Sequence, residues 1–126
     1  MEITDTIVAQ ATPAGSGGLG VLRISGPQAG TVLNKLFRAS ISPQQHSREL
    51  ILGNVVDGQE RLLDQALAVW FPGPHSYTGE DVAELHCHGS VRLLRETLRL
   101  ALAAGARLAE RGEFTQRAFL NGRLDL

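Results

Sequence analysis

Apolar and polar residues follow two rhythms along this chain, one of period two and one of helical period. Residues 6–11 (TIVAQA) and 20–25 (GVLRIS) are rich in β-formers, and the Gly/Ser/Pro segment between them reads as a loop joining two neighbouring strands. Ser25 reads as an N-cap with Pro27 close to the first helical turn. Ala29, Val32, Leu33 and Leu36 then recur at helical spacing, which predicts a helix over 27–37. The polar segment 38–48 holds a proline and no periodicity, and predicts an exposed connection rather than a domain boundary. Residues 49–56 and 61–71 flank Asp57-Gly58, a dipeptide suited to the positive φ angles of a hairpin turn, so they predict an antiparallel pair.

Residues 81–88 read as a further strand. The strongest helix pattern covers 91–104, with Leu93, Leu94, Leu98, Ala101 and Leu102 on one stripe and Gly105 placed to end it as a C′ residue. A short strand at 106–109 and a helix at 113–121, closed by Gly122, complete the order. Irregular alternation with a hairpin predicts an α+β domain, helices packed on a mixed β-sheet, in preference to a doubly wound parallel sheet.

Composition narrows the class. The 126 residues suffice for one domain with a real core, and a single cysteine, Cys87, offers no internal disulfide and points to a reducing compartment. The first five residues lack a signal peptide's basic start and apolar core, and no apolar run is long enough to span a membrane, so a soluble, cytoplasmic protein with no membrane association is expected. A net charge of -1 argues against this segment alone gripping a phosphate backbone. Eleven of its twelve basic residues are nevertheless arginine, whose planar fork suits carboxylates and phosphates; surface preference explains the bias equally well.

Candidate chemistry concentrates in residues 70–89 (WFPGPHSYTGEDVAELHCHG), which hold three of the four histidines, the only tyrosine, the only cysteine and three carboxylates. Such a cluster beside regular elements points to binding or catalysis. His86-Cys87-His88 invites a zinc reading, but strand alternation turns Cys87 away from both histidines and leaves two ligands without a third, so no metal site is predicted. The same alternation makes Ala83, Leu85 and Cys87 an apolar face and sets Glu84, His86 and His88 on the other. That polar face is either solvated or the wall of a site. Its place between a Pro/Gly-rich loop and a helix favours the wall, with Glu84 as the acceptor for an amidine-like edge such as a pterin or guanine ring offers.

Arg23 interrupts the apolar strand around it, as an edge or snorkelling arginine or as a ligand contact. Arg117 and Arg123 carry no pattern that separates them from surface charges. Residues 15–20 spell G-x-G-x-x-G, but a strand pattern succeeds it and no acidic residue stands about 20 positions on, so the dinucleotide fingerprint fails. No phosphate-binding loop of the G-x-x-x-x-G-K-[ST] type is present.

Four separated segments, DTIVAQATPAGSGGLGVLRISG, WFPGPHSYTGEDVAELHCHG, RGEFTQRAFLNG and the terminal RLDL, resemble the N-terminal signature of the tRNA modification GTPases, the MnmE or TrmE family. The resemblance covers nearly the whole chain in order and spacing, and only 28–64 is unspecific. It implies a folate-binding and homodimerising domain over 1–119, similar in fold to the folate domain of the glycine-cleavage T protein. Residues 120–126 would begin the connection to a helical region and GTPase domain that this chain lacks, so the chain is expected to be a fragment. GTP, magnesium and potassium are expected only in that missing domain, and GTP hydrolysis is not attributed to this chain.

By the same resemblance the cofactor is 5-formyltetrahydrofolate or another reduced folate, and its contacts fall on Arg23 of the LRISG motif, on Glu84 of the ELxxHG motif and on Arg123. Arg123 stands where the family's LNDKLDL motif has lysine, keeping the charge but changing donor geometry. Ala14-Gly15-Ser16 also departs from the basic PGR or PGK of many relatives. For the intact enzyme the resemblance implies that folate carries a one-carbon unit to C5 of the wobble uridine, position 34 of tRNA, beside a flavoprotein partner of the MnmG or GidA type. An alternative is a dimerisation scaffold of that GTPase with weak or lost folate binding. No catalytic residue is assigned.

Overall fold

The computed structural model describes residues 4–11, 19–88 and 90–123. Within them lie β1 (Ile7–Gln10), β2 (Leu19–Ser25), α1 (Ala29–Leu36), β3 (Phe37–Arg38), β4 (Ile51–Val56), β5 (Leu62–Phe71), β6 (Val82–His88), α2 (Val91–Ala103), β7 (Arg107–Leu108) and α3 (Glu113–Leu120). The strands form one sheet in the order β3-β4-β5-β6-β2-β1-β7. All neighbours are antiparallel except β1 and β7, so the sheet is mixed and the fold is α+β. The glycine-rich motif at 15–18, the Ala14-Gly15-Ser16 departure, Gly89 and the last three residues lie outside the described residues.

Alternation along the central strands builds the core. Leu22 and Ile24 of β2, Ala83, Leu85 and Cys87 of β6, and Ala66, Ala68 and Trp70 of β5 share one face with the buried residues Ala29, Val32, Leu33 and Leu36 of α1 and Leu94 and Ala101 of α2. Leu22 and Leu85 pair directly and are 1% and 0% exposed; a leucine buried so completely contributes about 1.5–3 kcal/mol. Gly20 lets α2 approach this face, because a Cβ there would come within 2.4 Å of a Leu94 methyl.

The start of α2 and the ends of α2 and α3 obey general capping chemistry, whereas the start of α1 does not. Ser90 accepts from the Leu93 amide at the start of α2. Gly105 (φ 117°) ends α2 as expected, donating to the Leu102 carbonyl while Ala106 donates to that of Ala101, the double bond of a Schellman motif. Gly122 ends α3 in the same way, with Arg123 donating to the Ala118 carbonyl. Ser25, expected as the cap of α1, is instead buried at the end of β2, and the helix begins four residues later. The Thr6 hydroxyl, just before β1, takes the Gln28 amide at 2.7 Å in its place.

Two further expectations are corrected and a third is refined. The connection 38–48 is exposed over most of its length, as expected, but it opens on Arg38, which pairs with Asn54 of β4 as the end of β3, and Pro43 is buried in a 3-10 turn at Pro43–Gln45. The hairpin turn does not take positive φ at Asp57-Gly58; that angle falls on Glu60 (62°), while the Asp57 carboxylate accepts from the Gln59 and Arg61 amides. Arg117 is not a surface charge but 3% exposed, because α3 buries it against the N-terminal segment.

That attachment is ionic. Arg107 forms a two-pronged contact with Glu113 at 2.6 and 3.0 Å and reaches Asp5 at 2.7 Å, while Arg117 holds Asp5 at 2.6 Å. The Arg107 guanidinium, working against burial, holds the Glu113 carboxyl down at about 2. A carboxyl held low when folded takes up protons more readily when unfolded, so its stabilisation is present above the ordinary value of 4.5 and lost as pH falls towards 2. Urea denaturation of Glu113→Gln should therefore show a deficit at neutral pH that closes as acid approaches pH 2; a pH-independent deficit would contradict an ionic attachment.

Cys87 is fully buried, and burial with the nearby Asp64 charge pushes its thiol up to about 11. A native-state thiol reagent should leave it unmodified until denaturant is added. Rapid stoichiometric labelling of the folded chain would show that it is not a core residue.

Candidate functional site

On the sheet face opposite α1 and α2, the register of β2 and β6 sets Arg23 directly across from Glu84. The Arg23 Nε donates to Glu84 Oε2 at 2.8 Å. The other carboxylate oxygen, Oε1, lies 2.9 Å from His86 Nε2, two residues along the same face. Glu84 is thus flanked by two cationic or cation-capable groups, with its side chain 14% exposed and that of Arg23 32% exposed. Antiparallel pairing explains the geometry: directly opposed side chains are held about 5 Å apart at Cβ, so opposite charges there meet without strain.

The carboxylate keeps acceptor capacity beyond these contacts, since its two oxygens offer about four lone-pair sites. Arg23 meets it through Nε, which leaves the guanidinium's terminal amino groups for an anion or a carbonyl. Beside His86 the same face opens into a cavity of about 190 Å³ lined by Leu52, Gln65, Leu67, His86 and His88. His88 is held at its mouth by Asp64, with Nδ1 at 2.9 Å from Oδ1. The two histidines therefore pair with different carboxylates, and among the described residues no three His, Cys, Asp or Glu side chains converge to hold a metal ion.

The loop that leads into β6 is fastened from several sides. The Asp81 carboxylate accepts from the Gly73 amide at 2.9 Å, and the Arg48 guanidinium donates to the His75 carbonyl while lying 6.0 Å from the Phe71 ring centre. From α3 and its end, the Tyr77 hydroxyl meets Thr115 at 2.8 Å and Asn121 donates to the Thr78 carbonyl at 2.8 Å. Arg123 belongs to this bracing: its Nε donates to the Ser76 carbonyl at 3.0 Å. The structure thus brings Arg23 and Glu84 together, whereas the bond made by Arg123 goes to the loop that precedes Glu84.

Sequence reasoning missed the residues beneath that loop. Ser25 and Thr78 are both fully buried with their hydroxyls 2.7 Å apart, and Ser25 donates to Glu80 Oε1 at 2.7 Å. Arg117 closes the group, its Nη1 lying 3.2 Å from both Glu80 oxygens. Burial works against the charge of Arg117, but Glu80 and Asp5 outweigh it and hold the guanidinium's proton more tightly than usual. The hint in the sequence is the Glu113/Arg117 spacing, four residues apart on a predicted helix, which the structure uses for an ion pair.

Comparison with known proteins agrees with the four-segment resemblance. A family model described as "GTP-binding protein TrmE N-terminus" matches residues 6–123. The chain is 53% identical over 128 residues to the tRNA modification GTPase MnmE of Nitratidesulfovibrio vulgaris (strain DP4), 50% identical over 127 to that of Geobacter sulfurreducens, and 49% identical over 129 to that of Clostridioides difficile (strain 630). Each match covers 100% of this chain but 28% of the relative's length. The chain belongs to the TrmE N-terminal family, as an N-terminal domain of the tRNA modification GTPase MnmE kind.

Proposed function

We propose that this domain binds a reduced folate, 5-formyltetrahydrofolate or a relative of it, on the Arg23–Glu84 face, and that it does so as the one-carbon-holding part of an enzyme modifying C5 of the wobble uridine of tRNA. The observation that supports this most is the cross-strand pair itself, Glu84 Oε2 at 2.8 Å from Arg23 Nε on a face that neither α1 nor α2 covers. The residues fit the group. A pterin ring presents adjacent N–H donors that a fixed carboxylate can accept as a pair, and the folate tail carries carboxylates that a guanidinium can take. Glu84 would orient the ring and Arg23 would meet an anionic or carbonyl oxygen, while bound folate supplies the one-carbon unit. Arg123, in this reading, keeps the loop before β6 in place, and its terminal amino groups offer the folate a planar fork where the family's lysine offers a point charge.

The intact enzyme would add the GTPase domain with its magnesium and potassium, a flavoprotein partner of the MnmG kind and tRNA itself, in the cytoplasm. No helix of the described residues is long and apolar enough to cross a membrane. A second reading, a dimerisation scaffold with weak folate binding, is favoured by the apolar side chains left on the sheet, with Leu52 60% exposed and Leu62 66% exposed. The two readings combine if a second copy covers that surface while folate occupies the Arg23–Glu84 wall.

Calorimetric titration of 5-formyltetrahydrofolate into the purified chain, with its mass measured in solution, separates them. Glu84→Gln and Arg23→Met should each weaken binding about 10- to 100-fold, the worth of one charge-assisted hydrogen bond. Unchanged affinity in both variants would remove this face as the folate site. A dimer that takes up no folate would leave only the scaffold.

A further inference from the structure

Among the described residues, Glu80 is the carboxylate that touches both the buried arginine of α3 and the strand that carries Arg23. Its oxygens lie 3.2 Å from Arg117 Nη1, and Oε1 also accepts from the Ser25 hydroxyl at 2.7 Å. Ser25 stands two residues beyond Arg23 on β2, so the two side chains leave the strand on the same side. We propose that Glu80 and Arg117 are positioning residues: through Ser25 they fix the end of β2 and thereby the reach of Arg23 to Glu84, so that a shift of α3 is felt at the ligand wall. The ligand consequence rests on the folate reading above; the geometric consequence does not.

Stability alone accounts poorly for this arrangement. The N-terminal segment and α3 are already tied by Arg107, which holds both Asp5 and Glu113. Arg117 repeats those two contacts and adds two of its own, the Asp5 carbonyl at 2.8 Å, again to the N-terminal segment, and Glu80, which alone leads towards β2. A buried arginine among carboxylates is a weak source of stability, because desolvating the charges offsets most of their attraction; apolar replacements of such groups are often neutral or better. Geometry is what the group supplies.

Several of the loop's contacts converge near Ser25 and the end of α3. Thr78, bonded to Ser25 by its hydroxyl, is held from α3's end by Asn121 through its carbonyl. Gly79 has a φ of 82°, and a Cβ there would come within 2.8 Å of Asn121, so the loop is pressed against the C-terminal end of α3. The Gly26 amide donates to the Asp81 carbonyl at 3.0 Å, which ties the exit of β2 to the entry of β6. A displacement of α3 therefore reaches both strands of the Arg23–Glu84 pair over a short path of direct contacts.

Two variants test the link without touching Arg23 or Glu84. Ser25→Ala leaves every ionic contact of Arg117 in place and removes only the hydroxyl bridge; Glu80→Gln keeps the shape but not the charge. The direct readout is hydrogen exchange of the Arg23 Nε–H by NMR at a temperature where both variants are folded, beside their melting temperatures and their affinity for 5-formyltetrahydrofolate. Exchange should quicken and affinity fall about five-fold in each, the worth of one hydrogen bond near 1 kcal/mol. The double variant Glu80→Gln/Arg117→Met removes the buried cation together with its Glu80 partner and should still exchange fast at Arg23. If melting temperatures fall while the Arg23 Nε–H exchanges as in the parent, the residues are structural only and the proposal is overturned. If the parent itself takes up no folate, the folate reading fails, and the exchange measurement still decides the positioning role.

Discussion

Two helices cover one face of a seven-stranded sheet, and strand alternation then assigns every residue of β2 and β6 either to the core or to the other face. Because Leu22, Ile24, Ala83, Leu85 and Cys87 pack beneath α1 and α2, the intervening Arg23, Glu84 and His86 have nowhere to go but the opposite side. A one-residue slip of register would exchange the two sets, placing charged side chains under the helices. The apolar core thus enforces the polar site. What the domain can bind is decided by where Leu22 faces Leu85 as much as by where Arg23 faces Glu84.

The polar face is preorganised at modest cost. Arg23 and Glu84 retain partial access to water, so they avoid the several kcal/mol that desolvating a fully buried charge requires. Their rigidity comes from elsewhere, from a loop bound to β2 by Ser25, to α3 by Asn121 and Arg123, and to Arg117 through Glu80. The cost of ionic burial is concentrated on Arg117, away from the face proposed to meet ligand. Separation of this kind suits a binding site, whose own charges must stay available while their neighbours hold them still.

Much of the fold is legible in the chain, and the reasons differ by element. Helices α1 and α2 show through Ala29/Val32/Leu33/Leu36 and through the leucine-rich pattern closed by Gly105, because local periodicity and a C′ glycine need no tertiary information; the buried stripe of α2 is nevertheless turned from the one expected, with Thr97 fully buried beside Leu94 and Ala101 while Leu102 is 39% exposed. The division of 82–88 into two faces is equally local. β3 is hidden because two residues carry no period, and Phe37 continues the helical pattern up to the point where pairing with Val55 captures it. Ser25 resembles a cap because its sequence neighbours form a helix, whereas Thr78 and Glu80, which take its hydroxyl, stand more than fifty residues away. Arg117 resembles a surface charge for the same reason: its partners Asp5 and Glu80 are distant in sequence, and only folding makes an arginine beside Phe119 a buried one.

On the proposed function, ligand meets the β2–β6 face that α1 and α2 leave uncovered. Backbone amide shifts of the chain, monitored by NMR as 5-formyltetrahydrofolate is added to saturation, decide it most directly. The largest changes are predicted along β2 from Val21 to Ser25 and along β6 from Val82 to His88, with little movement in the outer half of α2. Changes centred on α1 and α2, or none at all in a folded chain at millimolar ligand, would contradict it.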